Sequence, residues 1–162
     1  MNHHITSLKK HILLVEDDTF ILKLLSSFLK QQGFELSCAS SAEEAKLFFK
    51  LYEMDALIID VQLPDVSGFE LYTTLNKRSK LKSDLDIPII YMSGAKIDME
   101  SIQEGYDHGA QDYILKPFEP AMLLNKLKVL LEMSTRIKEL EYVVEEKIAL
   151  EEELLHLDNE WV

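Results

Sequence analysis

The chain has 162 residues, of which 47% are hydrophobic, so it is long enough to bury the core of one domain and to carry an additional segment. Its formal net charge of −12 argues against direct binding to nucleic acid, because phosphate backbones are bound by clustered Lys and Arg side chains. A single cysteine, Cys38, excludes an internal disulfide, and the sequence has neither an apolar run of 18 residues that could cross a membrane nor the apolar start of a secretion signal. These features predict a cytoplasmic protein without membrane insertion.

Short apolar runs alternate with longer amphipathic segments along the first 131 residues. The predicted strands cover residues 11–15, 34–39, 56–59, 88–92 and 112–115. The predicted helices cover residues 19–32, 42–53, 68–78, 99–108 and the segment from 120 onward. Ser41 and Gly33 support two helix boundaries, because they suit an N-cap and a C′ position respectively. Strands and helices that alternate with short connections predict a parallel sheet covered by helices on both faces.

Polar residues gather at the predicted carboxyl ends of the strands. They are Glu16, Asp17 and Asp18 after the first strand, Asp60 after the third, Ser93 after the fourth and Lys116 after the fifth. Neighbouring parallel strands bring these ends to one edge of the sheet, which is where ligands bind in such folds. Carboxylates about 4 Å apart would repel by roughly 4 kcal/mol at an effective dielectric constant near 20, so the cluster requires a cation or a proton.

The available side chains favour phosphoryl chemistry. Oxygen ligands without histidine or cysteine favour Mg²⁺ over zinc, and Mg²⁺ also binds phosphate oxygens. Asp60 is a candidate nucleophile towards phosphorus, while Lys116 and Ser93 offer a positive charge and a hydroxyl donor to the phosphoryl oxygens. Asp18 is expected instead to cap the first helix.

Five motifs in order resemble the receiver domains of two-component response regulators. They are LLVEDD at 13–18, LIID at 57–60, LPDVSG at 63–68, PIIYMSG at 88–94 and GAQDYILKPF at 109–118. The resemblance covers roughly residues 9–131. It implies a flavodoxin-like α/β fold, with a doubly wound, five-stranded parallel sheet in the order 2-1-3-4-5 and a last helix that is extended beyond the domain.

The resemblance also implies roles for individual residues. Asp60 would be phosphorylated, and Glu16 and Asp17 would hold Mg²⁺ together with Asp60 and the backbone carbonyl of Gln62. Lys116 would contact the phosphoryl group, and its bond to the following proline would be cis.

The implied switch residues are Ser93 and Tyr113. The phosphoryl donor would be a histidine kinase or a phosphotransfer protein, so the chain would carry a signal and would not be an enzyme. Phosphorylation would then change the receiver surface and its binding to partners.

Two alternatives use the same residues differently. A haloacid-dehalogenase-like phosphatase would need a second Asp two residues after the nucleophile, and that position is Gln62. A non-phosphorylated, receiver-like module for interaction and dimerisation would be distinguished by missing acids or a missing lysine. Here Glu16, Asp17, Asp60 and Lys116 are all present.

The last predicted helix is unusually long. The chain is predicted to have three parts: an N-terminal arm at residues 1–8, the receiver domain at 9–131 and a helical extension at 132–162. The extension is predicted because neither Pro nor Gly occurs after Pro120. Apolar residues at alternating steps of three and four predict a coiled coil, interrupted by Lys147. They are Leu140, Val143, Leu150, Leu154, Leu157 and Trp161.

Acidic residues flank these apolar positions and would repel each other in a parallel homodimer. The extension is expected either to form a homodimer or to bind a basic partner helix. The affinity is expected to rise as salt or acid screens the charges of the glutamates. A solvated, partly frayed tail is the simpler alternative. The chain could also be a fragment of a longer regulator in which this helix leads to an output domain, although no helix-turn-helix or other output segment is recognisable.

Overall fold

The computed structural model of the protein describes residues 8–78, 87–94, 103 and 112–160. Three predictions fall wholly or largely outside these residues: the N-terminal arm up to residue 7, the helix over 99–108 apart from Gln103, and the contribution of Trp161 to the coiled coil.

The sheet has five parallel strands in the order β2-β1-β3-β4-β5. The strands are β1 His11–Val15, β2 Glu35–Ala39, β3 Ala56–Asp60, β4 Ile89–Ser93 and β5 Asp112–Leu115. This order confirms the predicted flavodoxin-like fold. Asp60 and Ser93 are the last residues of their strands and do not follow them, because each pairs with a residue of the neighbouring strand, Met92 and Leu115 respectively.

The described helices lie close to the predicted positions. They are α1 Thr19–Gln31, α2 Ala42–Leu51, α3 Gly68–Arg78 and the C-terminal helix Pro120–Glu160. Asp18 caps α1 as predicted, because its carboxylate accepts the N–H groups of Phe20 at 2.9 Å and Ile21 at 3.1 Å. Gly33 follows α1 with a φ of 95°, a left-handed conformation that favours glycine.

Alternating strand residues fill two apolar layers, one on each face of the sheet. Leu13 and Val15 pack in the layer under α2 and α3, whereas Ile12 and Leu14 pack in the layer under α1 and the C-terminal helix. Nearly all residues of the central strands β1, β3 and β4 are buried, as expected for a sheet covered on both sides.

The C-terminal helix packs on the domain only through its first third. Leu123, Leu124, Leu127, Leu130 and Leu131 are buried against the sheet, but no residue described after Leu131 is buried. At 1.5 Å per residue the 41-residue helix is about 60 Å long, so most of it projects from the domain. Within the described part of the chain, no helix combines the length and apolar character needed to cross a membrane.

Candidate functional site

Three carboxylates meet at the carboxyl end of the sheet. Glu16 directly follows β1 and Asp60 ends β3, and both are buried, with 1% and 5% of their surface exposed. Asp17 is exposed beside them. One oxygen from each of the three carboxylates lies within 4.8 Å of the others, and only carboxylates form this cluster among the described residues. The adjacency of β1 and β3 therefore brings together the three acidic side chains that the sequence singled out.

Lys116 joins the two buried carboxylates. Its Nζ donates to Glu16 Oε2 at 2.5 Å and to Asp60 Oδ2 at 2.6 Å. The backbone positions it, because the Lys116 N–H donates to the carbonyl oxygen of Ser93 at 2.6 Å and extends the β4–β5 pairing. The Lys116–Pro117 peptide bond is cis, as the resemblance implied. A lysine 100 residues away along the chain thus balances part of the negative charge of this site.

The electrostatics of Glu16 follow from its burial. Loss of solvent raises the pKa of Glu16 to about 7, and the charge of Asp60 adds to this effect, while hydrogen bonds from Lys116 and the Asp18 N–H oppose it. Burial alone would lower the pKa of Lys116, but its bonds to Asp60 and Glu16 raise it overall. The lysine therefore stays charged, and Glu16 can exchange a proton near neutral pH.

A tight loop holds Asp60 from the other side. The N–H of Gln62 donates to Asp60 Oδ1 at 2.9 Å, and the N–H of Gly68 donates to the carbonyl of Val61 at 2.8 Å. A Cβ atom added at Gly68 would collide with the carbonyl oxygen of Asp60, so only glycine allows this close approach. Both Asp60 oxygens accept a hydrogen bond, and the carboxylate is fixed in one orientation.

Ser93 ends β4, and Tyr113 lies on β5, the strand that Lys116 follows. Ser93 is 1% exposed, and its hydroxyl donates to the carbonyl of Gly94 at 3.3 Å. Tyr113 is half-buried, and its ring packs against that of Tyr91 with centroids 5.5 Å apart. Their roles as switch residues stay predictions, as do those of Asp60, Glu16, Asp17, Gln62 and Lys116.

Asp65, which the sequence did not single out, connects the loop after Asp60 to α2. Its two carboxylate oxygens accept the N–H groups of Ala42 at 3.0 Å and Glu43 at 3.1 Å, while Ser41 accepts the N–H of Glu44 at 3.2 Å. The first-turn amides of α2 are thus capped by two different segments of chain. Burial opposes ionisation of Asp65, but backbone N–H groups, those of Ala42 and Glu43 first among them, outweigh it and lower its pKa below the ordinary value.

At pH 7 the free energy of unfolding of the Asp65→Asn variant is expected to be about 1 kcal/mol lower than that of the wild type, because an amide oxygen accepts these hydrogen bonds more weakly than a carboxylate does. A lowered pKa in the folded state stabilises the protein above the unfolded pKa, near 3.9 for Asp, and this contribution is lost as pH falls below that value. The difference in free energy of unfolding between the wild type and Asp65→Asn should therefore stay constant from about pH 8 to 5 and become smaller below about pH 4. Urea unfolding across this range tests it, with the exposed Asp158→Asn as the control, and equal stability of Asp65→Asn and wild type at pH 7 would contradict it.

A second unpredicted feature is the buried hydroxyl of Tyr91, two residues before Ser93 on β4. Tyr91 is fully buried among the rings of Phe69, Tyr72 and Tyr113, and its Oη has no hydrogen-bond partner within the ranges described. Burial, together with the neighbouring tyrosines, raises the pKa of Tyr91. No sequence pattern indicates an unpartnered hydroxyl, since only packing decides whether a tyrosine of a buried strand reaches a polar group.

The Tyr91→Phe variant should be more stable than the wild type by about 1 kcal/mol, because a buried hydroxyl without a partner keeps its desolvation cost. Urea unfolding midpoints measure the change. Tyr52→Phe is the matched control, because Tyr52 is 52% exposed and its hydroxyl can bond to water, so its removal should change little. A loss of stability in Tyr91→Phe would mean that the hydroxyl is satisfied in solution.

Comparisons with known proteins agree on one family. The model of the response regulator receiver domain matches residues 12–128. The heme response regulator HssR of Staphylococcus saprophyticus is 35% identical over 119 residues, which cover 74% of this chain and 50% of that protein. The cell cycle response regulator CtrA of Brucella ovis is 34% identical over 123 residues, which cover 76% of this chain and 50% of CtrA. The chain therefore spans about half the length of these curated relatives.

Solved structures show the same similarity over nearly their whole length. A CheY-like response regulator receiver domain protein from Methanospirillum hungatei superimposes with a TM-score of 0.72 at 30% identity, covering 79% of this chain and 98% of that one. The chemotaxis protein CheY4 of Vibrio cholerae gives a TM-score of 0.68, also at 30% identity, with coverage of 75% and 98%.

Proposed function

The chain belongs to the response regulator receiver domain family, and from this premise we propose that Asp60 accepts a phosphoryl group from a partner histidine kinase or phosphotransfer protein. Receiver domains are signalling modules of phosphorylation-based two-component systems and are not classical enzymes. Gln62 stands where a haloacid-dehalogenase-like phosphatase needs a second Asp, which supports a role as a signal carrier and not as a phosphatase.

The observation that carries the proposal is the setting of the Asp60 carboxylate. It is 5% exposed and fixed by Gln62 and Lys116, and it lies beside two further carboxylates at the edge of the sheet where ligands bind. A structural aspartate would not need a half-buried lysine shared with a second buried acid.

Mg²⁺ is the metal that we propose for this cluster. Glu16, Asp17 and Asp60 offer oxygen atoms within 4.8 Å of one another, which fits a small, hard cation, and the backbone carbonyl of Gln62 would complete the protein ligands. The pKa of Glu16, which burial raises first and the charge of Asp60 raises further, also supports a cation here, because a bound cation would favour the ionised carboxylate. When bound, Mg²⁺ would supply positive charge that neutralises phosphoryl oxygens.

Four side chains of the chain carry out the proposed phosphoryl transfer and the switch that follows it. A carboxylate oxygen of Asp60 attacks phosphorus in line, so an O–P bond forms as the P–N bond to the donor histidine breaks and the pair of electrons leaves with the histidine nitrogen. Lys116 exchanges its bond to Asp60 Oδ2 for a phosphoryl oxygen and keeps its charge close to the transferred group. The Ser93 hydroxyl turns from the Gly94 carbonyl towards the phosphoryl group, and Tyr113 then turns inward.

The signal is a shift between two populations of the receiver surface, biased by these new charge-assisted bonds. The chain acts in the cytoplasm, and its net charge of −12 supports partners other than nucleic acid. Association through residues 132–162, with a second copy or with a partner helix, is the other proposed interaction of the chain.

Incubation of the full chain with acetyl phosphate and Mg²⁺ tests the proposal. Intact-mass spectrometry should show the addition of one phosphoryl group, and EDTA should prevent it. An unchanged mass with Mg²⁺ present would instead favour the alternative of a receiver-like interaction and dimerisation module without phosphorylation.

A further inference from the structure

An apolar stripe, interrupted by Lys126, Arg136 and Lys147, runs along the outer side of the C-terminal helix. Its members are each 48–65% exposed and follow one another at spacings of three, four or seven residues. They are Met122, Val129, Met133, Leu140, Val143, Leu150, Leu154 and Leu157. We call this set the outer stripe. It occupies positions a and d of a heptad repeat in which Leu140 is an a position.

The outer stripe is not a continuation of the helix surface that packs on the domain. At 3.6 residues per turn, Met122, Val129 and Met133 lie about 120° to 160° around the helix from Leu127, which is buried against the sheet. The stripe therefore begins while the helix still covers the sheet and faces away from the core. It is a surface of its own whose members all remain about half exposed, although Val143 lines a cavity together with Lys10 from the domain.

Acids border the outer stripe on one side along the projecting part of the helix, and on both sides towards its end. In the heptad that Leu140 defines, Glu139, Glu146 and Glu153 are g positions, whereas the e positions are Ile137, Val144, Glu151 and Asp158. Residues 132–162 carry ten acidic and three basic side chains, a net charge of −7. A helix that covers the last part of the stripe must therefore lie between carboxylates.

A second copy of the chain matches this surface poorly. In a parallel pair, Glu146 would face Glu151 of the second copy and Glu153 would face its Asp158, which places like charges opposite each other. Lys147, an a position, would also face its own counterpart in the same layer. A helix with Lys or Arg at its flanking positions would instead place opposite charges at each of these acidic positions.

We propose that the outer stripe is a docking surface for an amphipathic helix of another protein, with apolar residues at its a and d positions and lysine or arginine at its flanks. The basic flanks face Glu139, Glu146, Glu151, Glu153 and Asp158 while the apolar positions cover the stripe. This inference does not depend on phosphorylation of Asp60, so either proposal can fail without the other.

The first measurement is the mass of the full chain in solution at about 50 mM salt, where surface charges are weakly screened. Sedimentation is expected to give the mass of the 18.7 kDa monomer at micromolar concentration. A dimer or larger assembly that the Leu140→Ser/Leu154→Ser variant converts to monomer would identify a second copy as the occupant and overturn the proposal.

The second measurement uses two synthetic helical peptides of about four heptads with the same leucines at a and d. One peptide carries lysine at both flanks, and the other carries glutamate. Fluorescence anisotropy should show that the full chain binds the lysine peptide, more weakly as salt is added, and does not bind the glutamate peptide. Absence of binding to the lysine peptide would overturn the proposal.

Matched charge variants separate a specific interface from general attraction between opposite charges. Glu146→Gln/Glu153→Gln removes two flanking charges, whereas Glu145→Gln/Glu152→Gln removes two charges from the opposite side of the same helix. The flanking pair should weaken binding of the lysine peptide about fivefold and the opposite pair less than about twofold. Equal effects of the two variants would overturn the proposal, and so would unchanged binding in Leu140→Ser/Leu154→Ser.

Discussion

The Asp60→Asn variant is expected to take up no phosphoryl group from acetyl phosphate and Mg²⁺, whereas the wild-type chain gains one. Asparagine is nearly isosteric and can still accept the Gln62 N–H, so the loop after β3 should keep its shape. Its amide lacks the nucleophilic carboxylate oxygen that we propose forms the O–P bond. The expected loss of labelling is therefore complete and does not follow from unfolding.

Asp18→Asn is the matched control for this experiment. Asp18 lies two residues after Glu16, but its carboxylate caps α1, so its replacement should leave labelling close to that of the wild type. Circular dichroism and urea unfolding show whether each variant is folded. A phosphoryl group that is still attached to Asp60→Asn would place the modification on another residue and remove the proposed role of Asp60.

The Lys116→Met variant should lose about 3 kcal/mol of unfolding free energy at pH 8 in EDTA, because Glu16 and Asp60 would be left buried and close together without their shared cation. The cost should be smaller at pH 6. The pKa of Glu16 is already raised to about 7, so Glu16 takes up a proton below that pH and one of the two buried charges disappears. Stability that depends on this protonation is present at low pH and lost as pH rises through the folded pKa.

Lys126→Met provides the comparison, because Lys126 also contacts a carboxylate with two bonds, to Asp112 at 3.0 Å each. Both side chains of that pair are about one-third exposed, so its loss should cost no more than about 1 kcal/mol.

Mg²⁺ should stabilise Lys116→Met, since a cation that binds only the folded state shifts the folding equilibrium towards that state. Urea unfolding at pH 6 and pH 8 measures these differences. Equal costs of Lys116→Met at the two pH values would contradict the assigned protonation of Glu16.

The sequence indicated much of the fold because the central strands are buried on both faces. A strand such as Ala56–Asp60 has no solvent-facing side, so it appears as a short apolar run that ends in a polar residue. The same logic located Glu16, Asp60 and Lys116, since residues that follow or end parallel strands share one edge of the sheet. Boundaries were less certain: Ser93 lies inside β4 because its pairing with Leu115 extends the strand by one residue.

Contacts between distant parts of the chain could not be predicted in this way. Lys116 bridges two carboxylates, and Asp65 caps a helix that begins 23 residues earlier, but hydrogen bonds of this kind depend on where loops cross in three dimensions. The unpartnered hydroxyl of Tyr91 is a consequence of ring packing that apolar patterning does not record.

The order of the elements, the acids and lysine of the candidate site, and the heptad spacing of the last helix can all be read from the amino-acid sequence. The side of that helix that covers the sheet, and the start of the outer stripe at Met122, became known from the packing of the folded chain. Periodicity reflects local backbone geometry, so it shows which residues share a face of a helix. Which face is buried depends on the elements that pack against it, and these come from elsewhere in the chain.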